Sequence, residues 1–208
     1  MHHTNVITAG RKIDEAEKAL VMFHGRGANA EDIIGVAPYL PVNDFAQLAP
    51  QATNNTWYPY SFLAPPRQNE PWLSTALDRI NEIVREINKA GIRDDHIYFL
   101  GFSQGACLTL EFVARNARRW GGIAAFTGGL IGDRIYEENY HGDFGGTPVF
   151  LSTGDPDPHV PADRVHASAS ILSKMNGSVT EKVYPNRGHT VSQDEIDCAN
   201  ELIFSRWN

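Results

Sequence analysis

The sequence predicts an α/β fold, in which a mostly parallel β-sheet is flanked by helices. Short apolar runs alternate with amphipathic segments along the chain, which is typical of a parallel sheet covered by helices. The chain has 208 residues, of which 42% are hydrophobic and 21% are charged, as in ordinary globular proteins. This length suits one domain with a sizeable core. No internal repeat, low-complexity tract or linker divides residues 1–208, so a single domain is expected.

The apolar runs and the amphipathic segments define the expected elements. Strands are expected at residues 20–23, 45–49, 96–100, 122–126, 149–152 and 179–184. Helices are expected after Asn29, from Pro71 to Gly91, from Ser103 to about Arg118, at 162–175 and at 193–206. The helix after Pro71 has the clearest pattern, because its apolar residues recur at spacings of three and four. The first twelve residues are polar, and no strand is predicted there.

Composition and charge exclude several classes of function. The formal net charge is −7 and no cluster of lysine or arginine could follow a phosphate backbone, so neither nucleic acid nor an anionic membrane is an expected partner. The sequence has no run of about 18 apolar residues that could span a bilayer. Cys107 and Cys198 are too few for a disulfide framework, and the opening residues lack the apolar core of a secretory signal. A reducing cytoplasm is therefore the expected location.

Residues 101–105 (GFSQG) form a G-x-S-x-G pattern between a predicted strand and a predicted helix. A sharp strand-to-helix turn would hold Ser103 in a strained backbone conformation with its hydroxyl exposed. Side chains at positions 101 and 105 would collide with neighbouring backbone. The start of the helix also directs free N–H groups and a positive dipole end towards the serine. The five letters alone also fit a glycine-rich turn, but the flanking strand and helix favour a nucleophilic Ser103.

A nucleophilic serine needs a base, because its hydroxyl hardly ionises near neutral pH. His189 lies just past the last predicted strand and just before the last helix, where the third member of a Ser, Asp, His chain order falls. His24 also follows a strand, but it precedes the serine and begins a loop with a different role. Four other histidines are interpreted as surface or capping residues: His96, His141, His159 and His166.

The acid is expected in a loop after a late strand, where two aspartates are candidates. Asp155 directly follows a glycine and fits a turn residue that bonds to nearby backbone. Asp157 lies deeper in a loop stiffened by three prolines, and an orienting carboxylate needs such rigid support. Loop position therefore favours Asp157 over Asp155.

Two backbone N–H groups should complete the site as an oxyanion hole. One is that of Gln104, the residue after the serine. The other is expected at Arg26, in the loop of residues 24–27 (HGRG), where flanking glycines let the backbone approach a substrate closely. The same loop also fits an ordinary tight strand-to-helix turn, and the two interpretations are compatible.

Residues 51–70 form a long loop rich in aromatic residues and proline, which is uncommon in a compact domain unless it serves a site. Its apolar side chains, and one just after it, are candidates for the wall of a substrate pocket. These candidates are Trp57, Tyr58, Tyr60, Phe62 and Trp72. Core packing, or a loop folded on itself, explains each of them equally well.

The sequence resembles the phospholipase/carboxylesterase family of small α/β hydrolases, whose members include acyl-protein thioesterases. The matching segments extend through most of the chain: residues 24–27 (HGRG), 101–106 (GFSQGA), 128–130 (GGL), 154–161 (GDPDPHVP) and 188–189 (GH). The resemblance implies an α/β-hydrolase fold without a large cap domain. Its G-x-x-D-P-x-V-P pattern implies that Asp157 is the acid. It also implies that the N–H groups of Arg26 and Gln104 form the oxyanion hole.

The function implied by this resemblance is that of a serine carboxylesterase, with a small-molecule ester as substrate and neither metal nor organic cofactor. Two departures bear on the substrate. Arg26 stands where acyl-protein thioesterases usually carry an apolar residue, which would favour polar or anionic substrates unless its side chain simply faces solvent. Residues 54–72 differ from the thioesterase version, which favours short-to-medium acyl or aromatic esters over a long-chain acyl protein.

Several alternatives stay open. The same residues could cleave the thioesters of acylated proteins, or lysophospholipids. A ligand receptor on the same fold would need no turnover. A dienelactone-type hydrolase would carry a cysteine nucleophile, whereas position 103 is serine and Cys107 is expected to be a buried packing residue. The sequence also leaves open whether the protein forms a homodimer and whether residues 54–72 close over a substrate.

Overall fold

The structure is a computed structural model that describes residues 5–205. The strands within these residues are β1 (Val6–Gly10), β2 (Ala19–Phe23), β3 (Ala46–Pro50), β4 (Ile97–Phe102), β5 (Gly122–Phe126), β6 (Pro148–Asp155) and β7 (Ser178–Pro185). They form one sheet in the order β1-β3-β2-β4-β5-β6-β7. β1 is antiparallel to β3, and every other neighbouring pair of strands is parallel. The prediction of a mostly parallel sheet is therefore confirmed.

Helices flank this sheet. In the described part of the chain they are α1 (Ala30–Ile34), α2 (Trp72–Lys89), α3 (Gln104–Arg115), α4 (Ala162–Lys174) and α5 (Gln193–Ala199). A π-helical turn, Asn200–Phe204, continues α5 directly, and the expected helix end at residue 206 lies outside the described residues. Between residues 5 and 205 no large cap domain interrupts these elements, and none of the helices is long and apolar enough to cross a membrane.

Two helices show how local sequence sets the element boundaries. The Asn29 side chain accepts a hydrogen bond from the Asp32 N–H at 2.8 Å, and the Asp32 carboxylate accepts one from the Asn29 N–H at 2.9 Å. This reciprocal cap begins α1 where the sequence predicts it. α3 ends at Arg115, before the expected Arg118, where Asn116 leaves the helical conformation and its side chain donates to the Phe112 carbonyl oxygen at 2.9 Å.

The strand β1 is absent from the sequence-based prediction. It contains only two strongly apolar side chains, Val6 and Ile7, and both are half-buried. Its backbone pairs antiparallel with β3, so that Ile7 lies opposite Ala49 and Gly10 opposite Ala46. A half-buried edge strand lacks the continuous apolar run of a central strand. It forms here because the backbone of β3 offers a partner, which no local pattern reveals.

The core consists of two apolar layers, one on each face of the sheet. Successive residues of β2 alternate between them: Val21 and Phe23 belong to the layer under α2, α3 and α4, whereas Leu20 and Met22 belong to the layer under α1 and α5. All five residues of β2 are buried. Because both faces are covered, the central strands read as continuous apolar runs, and this explains why they were the most predictable strands.

The start of α3 lies directly against the end of β2. A Cβ atom on Gly105 would lie 2.1 Å from the Phe23 carbonyl oxygen, and one on Gly101 would lie 2.4 Å from the Gly105 carbonyl oxygen. Such distances are far below van der Waals contact, and the obstructing atoms belong to backbone. The expected collision of side chains at both positions with neighbouring backbone therefore has a specific physical cause, the close approach of helix and strand.

We expect Gly105→Ala to lower the free energy of unfolding by about 3 kcal/mol or more, because α3 must move away from β2. Gly188→Ala is the matched control: an added Cβ there meets no atom within 4 Å. The control should change the free energy of unfolding by no more than about 0.5 kcal/mol. Urea unfolding of the two variants measures the difference, and equal stabilities would contradict the packing argument.

Candidate active site

Ser103 occupies the turn between β4 and α3. Its backbone angles are φ 55° and ψ −119°, a conformation that residues other than glycine rarely adopt. Hydrogen bonds hold the turn on both sides: the Ser103 N–H donates to the Phe126 carbonyl oxygen at 3.0 Å, and the Ser103 carbonyl oxygen accepts from the Cys107 N–H at 3.0 Å. The strained turn expected from the GFSQG pattern is present.

Ser103, His189 and Asp157 form a continuous hydrogen-bonded chain. His189 Nε2 lies 2.7 Å from Ser103 Oγ, and His189 Nδ1 lies 2.9 Å from Asp157 Oδ2. An ionised carboxylate only accepts hydrogen bonds, so Nδ1 carries the imidazole proton and Nε2 is the acceptor that faces the serine hydroxyl. The Asp157 side chain is fully buried and His189 is 21% exposed. The other candidate acid, Asp155, is exposed.

The Asp157 carboxylate is held by three donors. Oδ1 accepts hydrogen bonds from the backbone N–H groups of His159 at 2.7 Å and Val160 at 2.9 Å, while Oδ2 faces His189. Burial by itself would raise the pKa of Asp157, but these hydrogen bonds outweigh it and hold the pKa below its usual value. The carboxylate therefore stays charged at neutral pH and can stabilise a positive charge on His189.

The loop that carries His189 is tied to neighbouring elements. The Asn186 N–H donates to the Asp155 carbonyl oxygen at 2.7 Å. The Arg187 carbonyl oxygen packs so closely on Gly154 that a Cβ there would lie 2.1 Å away. The Arg187 guanidinium hydrogen-bonds to Ser192 Oγ at the start of α5 and lies over the Tyr184 ring, 4.5 Å from its centre. These contacts fix the path of the chain next to His189.

The proposed oxyanion donors lie beside the serine. Gln104 is the first residue of α3, so its N–H has no acceptor within the helix. Arg26 lies in the loop after β2, where the next N–H, that of Gly27, donates to the Asn55 carbonyl oxygen at 2.8 Å. Arg26, Gln104, Ser103 and His189 all line one cavity of about 480 Å³.

Three of the five predicted wall residues line this cavity: Tyr58, Tyr60 and Phe62. The prediction is wrong for Trp57, which is fully buried under the loop. Its ring packs 5.7 Å from the Phe23 ring, and its Nε1–H donates to the His24 carbonyl oxygen at 2.9 Å. It is also wrong for Trp72, which is half-buried against the core at the start of α2. Both tryptophans took the alternative role of core packing.

The sequence matches the profile of a known protein family over almost the whole chain. The profile of the phospholipase/carboxylesterase family matches residues 2–205. The chain belongs to this family. The resemblance inferred from the motifs and the expected α/β-hydrolase fold are thereby confirmed.

Individual relatives within the phospholipase/carboxylesterase family carry two kinds of name. The crystal structure of a phospholipase/carboxylesterase from Dyadobacter fermentans is 56% identical, with a TM-score of 0.96 over 97% of each chain. The probable carboxylesterase SOBER1-like of Arabidopsis thaliana is 29% identical over 67% of this chain and 53% of the plant protein, so the match spans about half of that relative. Acyl-protein thioesterase 1 of Eremothecium gossypii is 25% identical over 98% of this chain and 94% of its own.

His159 stands in the variable position of the family's D-P-x-V-P motif, and the surface role predicted for it is incomplete. Its side chain is exposed, but it lines the cavity and its ring meets the His189 ring edge-on with 4.9 Å between ring centres. The Phe102 ring contacts the same imidazole at 5.3 Å. Position two residues after the proposed acid was the only sequence signal that could have identified His159.

Further wall residues were missed by the sequence analysis: Pro59, Ser61, Leu63, Cys107, Pro158 and Val160. Cys107 is buried, as expected, and also reaches the cavity. Burial raises the pKa of its thiol to about 12, so it stays a neutral thiol near pH 7 and adds apolar surface to the wall.

His24 has a structural role, which the sequence analysis did not assign to it. It is buried, its Nε2 accepts a hydrogen bond from the Ala52 N–H at 3.1 Å, and its Nδ1 donates to the Gly25 carbonyl oxygen at 2.7 Å. Because Nε2 accepts a hydrogen bond, it carries no proton and the ring is neutral. The two hydrogen bonds tie the loop of residues 51–70 to the end of β2. Within the described residues, no group of three or more His, Cys, Asp or Glu side chains is placed to hold a metal ion.

We expect His24 to make the stability of the protein pH-dependent. Burial lowers the pKa of His24, and it outweighs the Gly25 hydrogen bond and the nearby acidic charges, which raise it. The unfolded chain, with a pKa of about 6.5, therefore binds the proton first. The stability from neutral His24 is complete above that pH and is lost as the pH falls through the folded pKa.

Replacing His24 by glutamine, which does not titrate, should therefore reduce the loss of unfolding free energy between about pH 8 and pH 5. Denaturant unfolding of both proteins at the two pH values measures this difference. An unchanged or steeper pH dependence in His24→Gln would contradict the assignment of a buried neutral ring.

Proposed function

We propose that this protein is a serine carboxylesterase that hydrolyses short-to-medium acyl or aromatic carboxylic esters through an acyl-enzyme intermediate. The observation that carries the proposal is the hydrogen-bonded chain from Asp157 through His189 to Ser103, beside a cavity that aromatic and aliphatic side chains line in part. This arrangement supplies a nucleophile, a base and an orienting acid in contact.

The geometry supports a two-step mechanism. Ser103 Oγ attacks the ester carbonyl carbon while His189 Nε2 takes the hydroxyl proton, and Asp157 stabilises the resulting imidazolium. The N–H groups of Arg26 and Gln104 hydrogen-bond to the oxygen that becomes negative. When the tetrahedral intermediate collapses, the imidazolium gives its proton to the departing alcohol. Water then attacks the acyl-enzyme with His189 again as base, which releases the acid and restores Ser103.

The cavity supports the proposed substrate class. Its volume of about 480 Å³ lies in the range of small-molecule sites. Aromatic and aliphatic side chains form part of the wall, among them Tyr58, Phe62, Leu63 and Val160. Such a wall suits an apolar acyl or aryl group whose ester carbonyl lies next to Ser103, which lines the same cavity.

A thioesterase function is the second candidate, because the same residues cleave thioesters and the Eremothecium gossypii relative is named acyl-protein thioesterase 1. Lysophospholipase activity needs no different machinery. A receptor without turnover is disfavoured, since all three proposed catalytic side chains are in contact.

The remaining sequence-based expectations concern location and partners. Cys107 and Cys198 are both free thiols, which supports the proposed cytoplasmic location. The homodimer and the absence of a nucleic-acid partner stay predictions.

Hydrolysis of p-nitrophenyl esters from acetate to palmitate tests the proposal. We expect maximal kcat/KM at short-to-medium chain length and a loss on the order of 10⁶ in kcat for Ser103→Ala. The variant should keep the melting temperature of the wild type, because among residues 5–205 the Ser103 hydroxyl hydrogen-bonds only to His189. Thioesters of the same acyl groups provide the comparison. A maximum at palmitate, or a clear preference for thioesters, would favour the thioesterase function instead.

The two aspartates of the loop after β6 form a matched pair. Asp157→Asn should lower kcat by on the order of 10³ to 10⁴, because an amide cannot stabilise the imidazolium. Asp155→Asn removes the same charge from an exposed side chain two residues before Asp157. We expect its kcat to stay within about twofold of the wild type. Equal losses in the two variants would remove the assignment of Asp157 as the orienting acid.

A further inference from the structure

The Arg26 side chain binds the cavity wall. Its guanidinium donates hydrogen bonds to three consecutive backbone carbonyl oxygens, those of Tyr58, Pro59 and Tyr60, at 2.9, 2.9 and 2.7 Å. The guanidinium carbon also lies 6.0 Å from the centre of the Tyr58 ring. A guanidinium presents five N–H donors in fixed, coplanar directions, so one side chain can hold three carbonyl groups together.

Gln104 binds the same segment through its side-chain amide. Its Nε2 donates to the Tyr58 carbonyl oxygen at 2.8 Å. Its Oε1 accepts from the Trp57 N–H at 2.9 Å and from Thr56 Oγ1 at 3.2 Å. The Gln104 amide is buried, so these hydrogen bonds compete little with water. The Tyr58 carbonyl oxygen therefore receives one donor from Arg26 and one from Gln104.

These contacts join two parts of the site that have separate roles. Residues 58–60 form one side of the acyl cavity, while the backbone N–H groups of Arg26 and Gln104 are the proposed oxyanion donors. We propose that the Arg26 side chain is a positioning residue that sets acyl-chain selectivity, by fixing the wall at residues 58–60 relative to the oxyanion donors. This role rests on the proposed esterase function.

The coupling predicts a particular kinetic effect. Oxyanion donors act only when they lie about 3 Å from the developing charge, and a misplacement of about 1 Å can cost 10²-fold in rate. An acyl group that displaces the wall also displaces the Arg26 side chain, which is bonded to the wall. The Arg26 backbone N–H, a proposed oxyanion donor, then shifts as well. Selectivity between acyl chains should therefore appear in kcat, and not in KM alone.

The expectation that Arg26 recognises polar or anionic substrates competes with this role. Three of the five guanidinium N–H groups already donate to carbonyl oxygens of the wall. A side chain held in this way stabilises the loop conformation, and the structure favours that role over the binding of an anionic substrate.

The experiment compares the wild type with Arg26→Leu, Arg26→Lys and the control Arg85→Leu. Leucine keeps the backbone N–H and removes every side-chain donor, whereas lysine keeps the charge but cannot hold three carbonyls. Arg85 lies on the exposed side of α2 and does not line the cavity. Kinetics are measured with p-nitrophenyl acetate, butyrate and octanoate, and with the mono-p-nitrophenyl ester of succinate as the anionic substrate.

We expect kcat for butyrate to fall about tenfold in Arg26→Leu with a smaller change in KM, and the ratio of octanoate to butyrate kcat/KM to rise about tenfold as the released wall yields. Arg26→Lys should resemble Arg26→Leu, and Arg85→Leu should resemble the wild type. Backbone amides of residues 56–61 should exchange hydrogen at least about tenfold faster in both Arg26 variants, because the loop is freed.

Three outcomes would overturn the proposal. Equal losses on all esters with unchanged hydrogen exchange would show that the side chain does not hold the wall. A loss confined to the succinate ester, restored in Arg26→Lys, would make Arg26 an anion-binding residue. Chain-length ratios equal to those of the wild type would remove the role in selectivity. Failure of the wild type to hydrolyse any ester would instead reject the proposed function, while the exchange measurement would still test whether Arg26 holds the loop.

Discussion

The close contact between the start of α3 and the end of β2 is the constraint on which the site depends. Because Gly105 leaves no room between helix and strand, the chain must turn sharply after β4, and Ser103 takes up the strained conformation with φ 55°. The same contact brings the first N–H of α3 close to the loop that follows β2. One packing interaction therefore positions the proposed nucleophile and the proposed oxyanion donors at the edge of the sheet.

The parallel arrangement of the strands explains how distant residues meet. Ser103 follows β4, Asp157 follows β6 and His189 follows β7, and the carboxyl ends of parallel strands lie at the same edge of a sheet. Backbone contacts then reduce the freedom of the two late loops. The Asn186 N–H bonds to the Asp155 carbonyl oxygen, and the Arg187 carbonyl oxygen packs on Gly154. The hydrogen-bonded chain thus rests on backbone geometry as well as on side chains.

The aromatic loop shows a different principle, since polar contacts organise an apolar wall. Buried His24 and Gln104 and the exposed Arg26 bind backbone groups between residues 52 and 60. These bonds satisfy main-chain groups of a segment that has no regular strand or helix partner. Apolar side chains from the loop are thereby free to face the cavity or to pack beneath it.

The sequence by itself determined the features that depend on local constraints. The buried strands, the amphipathic helix α2 and the GFSQG turn each require a particular residue pattern along the chain, so they could be predicted. The GFSQG pattern indicated Ser103, chain order indicated His189, and loop position together with the family pattern indicated Asp157. Only the tertiary structure revealed the strand β1, which forms through its pairing with β3. Only the tertiary structure showed that Trp57 and Trp72 pack in the core, whereas other aromatic residues of the loop line the cavity. It also decided that Arg26 binds carbonyl groups and that His159 meets His189. These features depend on which surfaces face each other across thirty or more residues of chain, and side-chain type alone carries no information about that.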